Sequence, residues 1–412
     1  MRVLIVTQYF WPENFRINDL SWGLAGLGHE VLVLTGKPNY PAGRYFEGYG
    51  FLGRFREKYG PVTVLRVPLL ARRSGRALPL MLNYLSFVLF GCVLGPLMCR
   101  GSVDVILVYE PSPVTVGLPA IVLKAVKRAP ILFWVQDLWP ESLSATDAVR
   151  SPWILRGVAA LVRLIYRRCD RVLVQSRAFV EPVLAMGVPA DRVRYFPNSA
   201  EPLYRPACRE EGCFDWHLPQ GFRVMFAGNI GAAQSFDTIL DAAEALRDQP
   251  DIHWLILGQG RRHNWVEAEV DRRGLRQCVH LFGQHPVETM PQWFAQADVL
   301  LVTLKRDQIF ALTLPSKIQS YMACALPIVA ALEGEGARVV QEARAGIVVA
   351  PQDAPALARA VMEMFTMPRT EREAMGRRGR AYFLQEFERD ALLARLDSWM
   401  KELAARGLEC ES

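Results

Sequence analysis

Residues 3–35, VLIVTQYFWPENFRINDLSWGLAGLGHEVLVLT, decide the fold. The apolar run 3–7 has the length of a buried strand. The loop 8–14 follows, apolar residues then recur at helical spacing over 15–27, and Gly28 supplies the stop. A second apolar run at 31–35 completes a βαβ unit. Strand-like runs return at 103–109, 131–135 and 171–175, with helical stretches at 114–127 and 153–168 between them. Such alternation predicts an α/β fold built on a parallel, doubly wound sheet.

Around 197–219, proline, charge and cysteine interrupt all periodicity, which reads as an interdomain connection. The grammar then restarts: strands at 223–227, 253–257, 279–282, 299–303, 327–331 and 346–349, and a helix at 237–248. This predicts a Rossmann-like domain over 1–200, a second over 201–375, and helices over 376–412 that pack back across both. Open α/β sheets bind ligands at the carboxyl ends of their strands, so the expected active site lies in a cleft between the domains.

Composition narrows the function. The chain has 412 residues, 51% hydrophobic and 22% charged, with 48 Lys plus Arg against 42 Asp plus Glu, a net charge of +6. This excludes disorder and low-complexity fibre. The mild basic excess predicts no nucleic-acid binding and suits anionic ligands or an anionic membrane surface. The first residues turn polar too soon for a secretory signal, so a cytoplasmic location is expected. The 8 Cys contain no C-x-x-C pair and read as reduced thiols; Cys208, Cys213 and His217 lack a fourth zinc ligand at the usual spacing. No metal site is expected.

The loop after the first strand contains no glycine, and no Walker lysine pattern occurs, which argues against dinucleotide and P-loop chemistry. After the first strand of the second domain stands FAGNIGAAQS, residues 226–235. Gly228, Asn229, Gly231 and Gln234 either present backbone amides to a diphosphate at a helix start or form an ordinary tight turn. In LTLPSKIQSYMA, 312–323, Pro315 starts a helix with Ser316 and Lys317 in its first turn. A lysine there opposes the helix dipole unless an anion lies beside it, which favours a phosphate contact.

These residues bring a family into view. With QYFWPENFR (8–16), GHEV (28–31), PNYP (38–41), QDLWPES (136–142), FPN (196–198), FAGNIG (226–231) and LPSK (314–317), the chain resembles the retaining glycosyltransferases of family 4, with the two-domain GT-B fold. In detail it is similar to the branch acting in bacterial O-antigen, capsule and exopolysaccharide synthesis on a lipid carrier. The resemblance implies a metal-independent hexosyl- or N-acetylhexosaminyltransferase without a cofactor. A nucleoside-diphosphate sugar, UDP-linked, would be the donor, and a polyprenyl-diphosphate-linked saccharide the acceptor. Two departures stand out: family members usually carry two glutamates eight positions apart, where this chain has Leu312 and Ser320, and many carry an Arg and a Lys in the turn after the first strand of the second domain, where this chain has Asn229 and Gln234.

Within that frame, Lys317, Ser316 and the glycine turn are the expected diphosphate ligands. Gly258, Gly283, Gln284, Leu314 and Pro315 border the nucleobase or sugar, with simple turn roles as the alternative. Asp137, after the strand 131–135, is the expected catalytic carboxylate, with an N-cap role as its alternative. Glu13 is placed with it. Asn14, Tyr40 and Glu141 are assigned to the acceptor. Residues 77–99 carry no charge and lie between Arg72, Arg73 and Arg76 on one side and Arg100 on the other. They read as an interfacial helix against the inner membrane, or else as a buried core helix. A nucleotide-sugar 2-epimerase of the same architecture is the competing function.

Overall fold

The computed structural model describes residues 1–73, 77–145, 151–209 and 218–409. Cys213, His217 and Arg76 lie outside them. Contacts divide the chain into two units, 1–197 with 390–412, and 198–389.

In the first unit, β1 (Arg2–Val6), β2 (Glu30–Thr35), β3 (Arg56–Tyr59), β4 (Val62–Arg66), β5 (Val105–Glu110), β6 (Ile131–Val135), β7 (Arg171–Val174) and β8 (Val193–Tyr195) form one sheet in the order β3-β4-β2-β1-β5-β6-β7-β8. All pairs are parallel except β3 with β4. Helices cover both faces, so the central strands are apolar along their whole length: β5, β6 and β7 are buried at every residue. Strands β3, β4 and β8 were not legible in the periodicity. The REKY of β3 is an edge strand whose charge keeps it from pairing further.

Five helices of this unit matter below: α1 (Arg16–Gly26), α2 (Ala77–Met98), α3 (Gly117–Lys127), α4 (Glu141–Ala145) and α5 (Pro152–Arg168). In the second unit, β9 (Phe222–Ala227), β10 (Ile252–Leu257), β11 (Val279–Gly283), β12 (Val299–Thr303), β13 (Ile328–Ala331) and β14 (Gly346–Val349) form an all-parallel sheet in the order β11-β10-β9-β12-β13-β14. Two Rossmann-like units are thus present.

The boundaries differ from the expected ones. The chain passes from one unit to the other between Pro197 and Asn198, and the segment 376–412 is divided rather than shared. Its residues to Arg389 stay with the second unit, whose core takes Phe383 and Phe387. From Asp390 the terminal helix Arg389–Glu409 joins the first unit, where Leu392, Leu393, Leu396, Met400 and Leu403 are buried. Arg171 to Glu402 (3.1 Å) and His29 to Asp397 (2.8 Å) fasten it.

Candidate active site

In the second unit the carboxyl ends of three adjacent strands meet at glycines. Gly228, after β9, donates its amide to Leu257 O at 2.9 Å, and Gly258, after β10, donates to Gly283 O at 2.6 Å. All three glycines have positive φ, 135°, 132° and 71°. A Cβ on Gly258 would stand 1.9 Å from Gly228 O, so only glycine permits this close approach.

Lys317 closes the group. Its helix, Ser316–Ala323, starts behind Pro315 and carries no acidic residue in its first turn. The lysine reaches back over the turn, so that a Cβ on Gly228 would meet Lys317 Cε at 2.6 Å. The ammonium sits 3.5 Å from the centre of the Phe226 ring, and no hydrogen-bond or carboxylate partner meets it among the described residues. Burial lowers its pKa to about 7.

The turn itself differs from the simple cradle expected. After Gly231 the chain makes a 3-10 turn, Ala232–Gln234, passes Ser235 at φ 47°, and only then enters the helix Phe236–Ala245. The Gln234 side chain accepts the Gly231 amide at 3.1 Å, so that amide is engaged by the protein. Gly228, Asn229 and Ser316 are exposed, as is Gln284, while the Leu314 side chain is buried in the core of the second unit. Pro315 is the N-cap residue of its helix.

In the first unit the site residues form two groups. Glu13 is 2% exposed. Its Oε1 accepts the amides of Asn39 (2.8 Å) and Tyr40 (2.7 Å), and its Oε2 accepts that of Phe10 (3.2 Å). The carboxylate therefore ties the loop after β1 to the loop after β2, with both of its oxygens engaged by backbone amides. Burial outweighs these bonds and raises its pKa to about 7. Tyr40 is 39% exposed; its ring lies near Tyr9 and Phe15, and the Arg72 guanidinium lies 5.1 Å from it. Asn14 is exposed.

Asp137 follows β6. It accepts hydrogen bonds from Trp139 Nε1 (3.2 Å) and from the Ser142 hydroxyl. Burial nonetheless pushes its carboxyl above the usual range, against the hydrogen bonds of Ser142, Trp139 and Ser112. The Ser142 contact runs from side chain to side chain, so it ties Asp137 to the first turn of α4 without capping a backbone amide there. Glu141 opens α4 with Oε2 buried and without a hydrogen-bond partner. Tyr84 of α2 links the two groups, hydrogen-bonded to Tyr9 and Ser112. Asn83, next to it, accepts from Gln8 at 2.7 Å.

Sequence reasoning passed over Glu110, Asn83, Tyr84 and Arg66. Arg66 is fully buried and donates to Gly36 O (3.0 Å) and Trp11 O, holding the same loops from below. A lone charged residue inside an apolar run was the available signal for Arg66. Among the described residues no cluster of His, Cys, Asp and Glu could hold a metal ion.

Comparison with known proteins identifies both units. Residues 14–199 match the Glycosyl transferase 4-like domain, and residues 221–367 match the domain of Glycosyl transferases group 1. The chain is a glycosyltransferase of GT-B fold. It is 27% identical over 344 residues to WcaI of Escherichia coli K12, a glycosyl transferase assigned to colanic acid biosynthesis, covering 78% of this chain and 81% of that protein. Among solved structures, sucrose-phosphate synthase of Thermosynechococcus elongatus superposes with a TM-score of 0.71 at 18% identity, over 98% of this chain and 99% of the other. Anabaena HepE, solved with UDP and glucose, gives 0.66 at 15% identity, over 97% and 99%.

Proposed function

We propose that this glycosyltransferase moves a sugar from a UDP-linked donor to a polyprenyl-diphosphate-linked saccharide, with retention, during synthesis of a cell-surface polysaccharide of the O-antigen, lipopolysaccharide or exopolysaccharide kind. The observation that carries the reading is Lys317, a cation enclosed beside a glycine turn with no anion of its own. A diphosphate gains charge as the sugar leaves it, and a preorganised ammonium stabilises that charge without reorganisation. The flanking glycines let a nucleotide approach the backbone closely. HepE holds UDP and glucose on the same fold, and WcaI belongs to an exopolysaccharide route, which supports both the donor and the product class. Both matched domains are named for glycosyl transfer, which favours transfer over epimerisation.

Asp137 is assigned to the acceptor: its carboxylate orients the incoming hydroxyl, with Tyr40 and Glu141 on the saccharide. Helix α2 is assigned to the inner face of the cytoplasmic membrane. It is long and apolar enough to cross a bilayer, and only 28% of its apolar 18-residue window is buried. Leu78, Met81, Leu82, Leu85, Leu89, Val93 and Leu97 are exposed within one arc of about 160° at 100° per residue. Its early residues Asn83 and Tyr84 belong to the acceptor end of the unit, which brings a lipid carrier to that end.

A thermal-shift screen against UDP-, GDP- and dTDP-sugars tests the donor, since a ligand that binds the folded state raises its melting temperature. The expected result is a shift with UDP-sugars; a shift with none of them overturns the reading. Incubation with donor alone should yield no epimer.

A further inference from the structure

The last residue of β5 is Glu110, wholly buried. Strands β5 and β6 run parallel with Glu110 opposite Val135, so its carboxyl stands at the end of the strand beside the one that Asp137 follows. Its Oε2 accepts the Asp137 amide at 3.4 Å, and its Oε1 is buried without a hydrogen-bond partner. The titratable groups that act on this pocket are Asp137 from the turn after β6, Glu141 from α4, Tyr166 from α5, whose hydroxyl is also buried and unpartnered, and the buried Cys169 thiol just after α5, which acts on Tyr166. No cation pairs with Glu110 among the described residues.

An ionised carboxylate enclosed without a cation is costly, and a second negative charge on Asp137 adds repulsion. Asp137 has three side-chain donors that favour its charged form, namely Ser142, Trp139 and Ser112, whereas Glu110 receives only backbone amides. Resting on the assignment of Asp137 to the acceptor, we propose that Glu110 is a positioning residue: it holds the one proton of a Glu110–Asp137 carboxyl pair, so that the single negative charge resides on Asp137 while Glu110 braces the turn that aims it. Burial and the neighbouring carboxylate both push Glu110 well above the usual carboxylate range, in keeping with this. The neutral acid then works as a fixed hydrogen-bonding group, and charge is delivered only where the acceptor hydroxyl arrives.

Glu110→Gln keeps the neutral shape and Glu110→Ala removes it, so the two variants separate this role from a structural one. Turnover in Glu110→Gln should stay within about threefold of wild type with an unchanged pH profile, and Glu110→Ala, if folded, should lose tenfold or more in kcat. A glutamine variant as damaged as the alanine variant would show that Glu110 acts ionised and overturn the proposal, as would an alanine variant with wild-type kcat. Infrared difference spectra at neutral pH read the proton itself: wild type should show a protonated carboxyl band that Glu110→Gln lacks, and an unchanged band overturns the proposal even if Glu110→Ala does not fold. That readout does not depend on turnover. Full activity in Asp137→Asn, with the Glu110 band present, would instead remove the role given to Asp137.

Discussion

Because burial holds the Lys317 ammonium at a pKa of about 7, much of it is neutral in the unliganded protein above that pH. The unfolded chain keeps this proton up to about 10.5, so the unliganded fold should gain stability as pH rises between these values. A bound diphosphate restores the charge. Isothermal titration of UDP near pH 8 in two buffers of different ionisation enthalpy should show proton uptake, and Lys317→Met should abolish it. Glu13 has the opposite sign: its pKa rises from 4.5 to about 7 on folding, so its contribution is complete below 4.5 and lost as pH rises through 7. In Glu13→Gln the amide oxygen keeps Asn39 and Tyr40, but the amide nitrogen faces the Phe10 N–H. Denaturant titration should show a loss of about 1–3 kcal/mol at acidic pH and a flatter profile up to pH 7. Lysine at a helix start was legible because it breaks a dipole rule. Glu110 was not, because periodicity shows that a strand ends at Glu-Pro without showing what encloses the side chain.

Helix α2 shows what composition alone cannot divide. A stretch of this kind has one sequence appearance whether it is core or membrane-facing, because apolar residues occur on every side. In the fold, Phe87, Asn83 and Ser86 face inward and the stripe from Leu78 to Leu97 faces outward, so the wholly buried alternative is excluded. Replacing Leu82, Leu85, Leu89 and Val93 with Gln or Ser should move the protein from the membrane to the soluble fraction with its melting temperature nearly unchanged. Phe87 must be left alone, since truncating a buried Phe typically costs 3–5 kcal/mol. A folded variant that still sediments with membranes contradicts the assignment. The glycine turn is a second case: Gly228 and Gly231 were visible in the sequence, but the capture of the Gly231 amide by Gln234 depends on a side-chain rotamer, which no pattern encodes.

At the scale of the molecule, the βαβ grammar of each half was legible because strands covered on both faces are nearly uninterrupted apolar runs. The return of the last helix to the first unit was not, since any amphipathic helix fits several surfaces. Deleting 390–412 uncovers Leu392's neighbours in that core and should leave the first unit insoluble or molten, as read by its circular dichroism melt. The central claim is that the second unit holds the donor diphosphate through Lys317 while Asp137 serves the acceptor. Nucleotide affinity and turnover, measured side by side in Lys317→Ala and Asp137→Asn, test it most directly. Lys317→Ala should weaken UDP binding by about 2 kcal/mol. Asp137→Asn should bind UDP as wild type does and lose roughly a hundredfold or more in turnover. Wild-type UDP affinity in Lys317→Ala, or wild-type turnover in Asp137→Asn, would contradict the account.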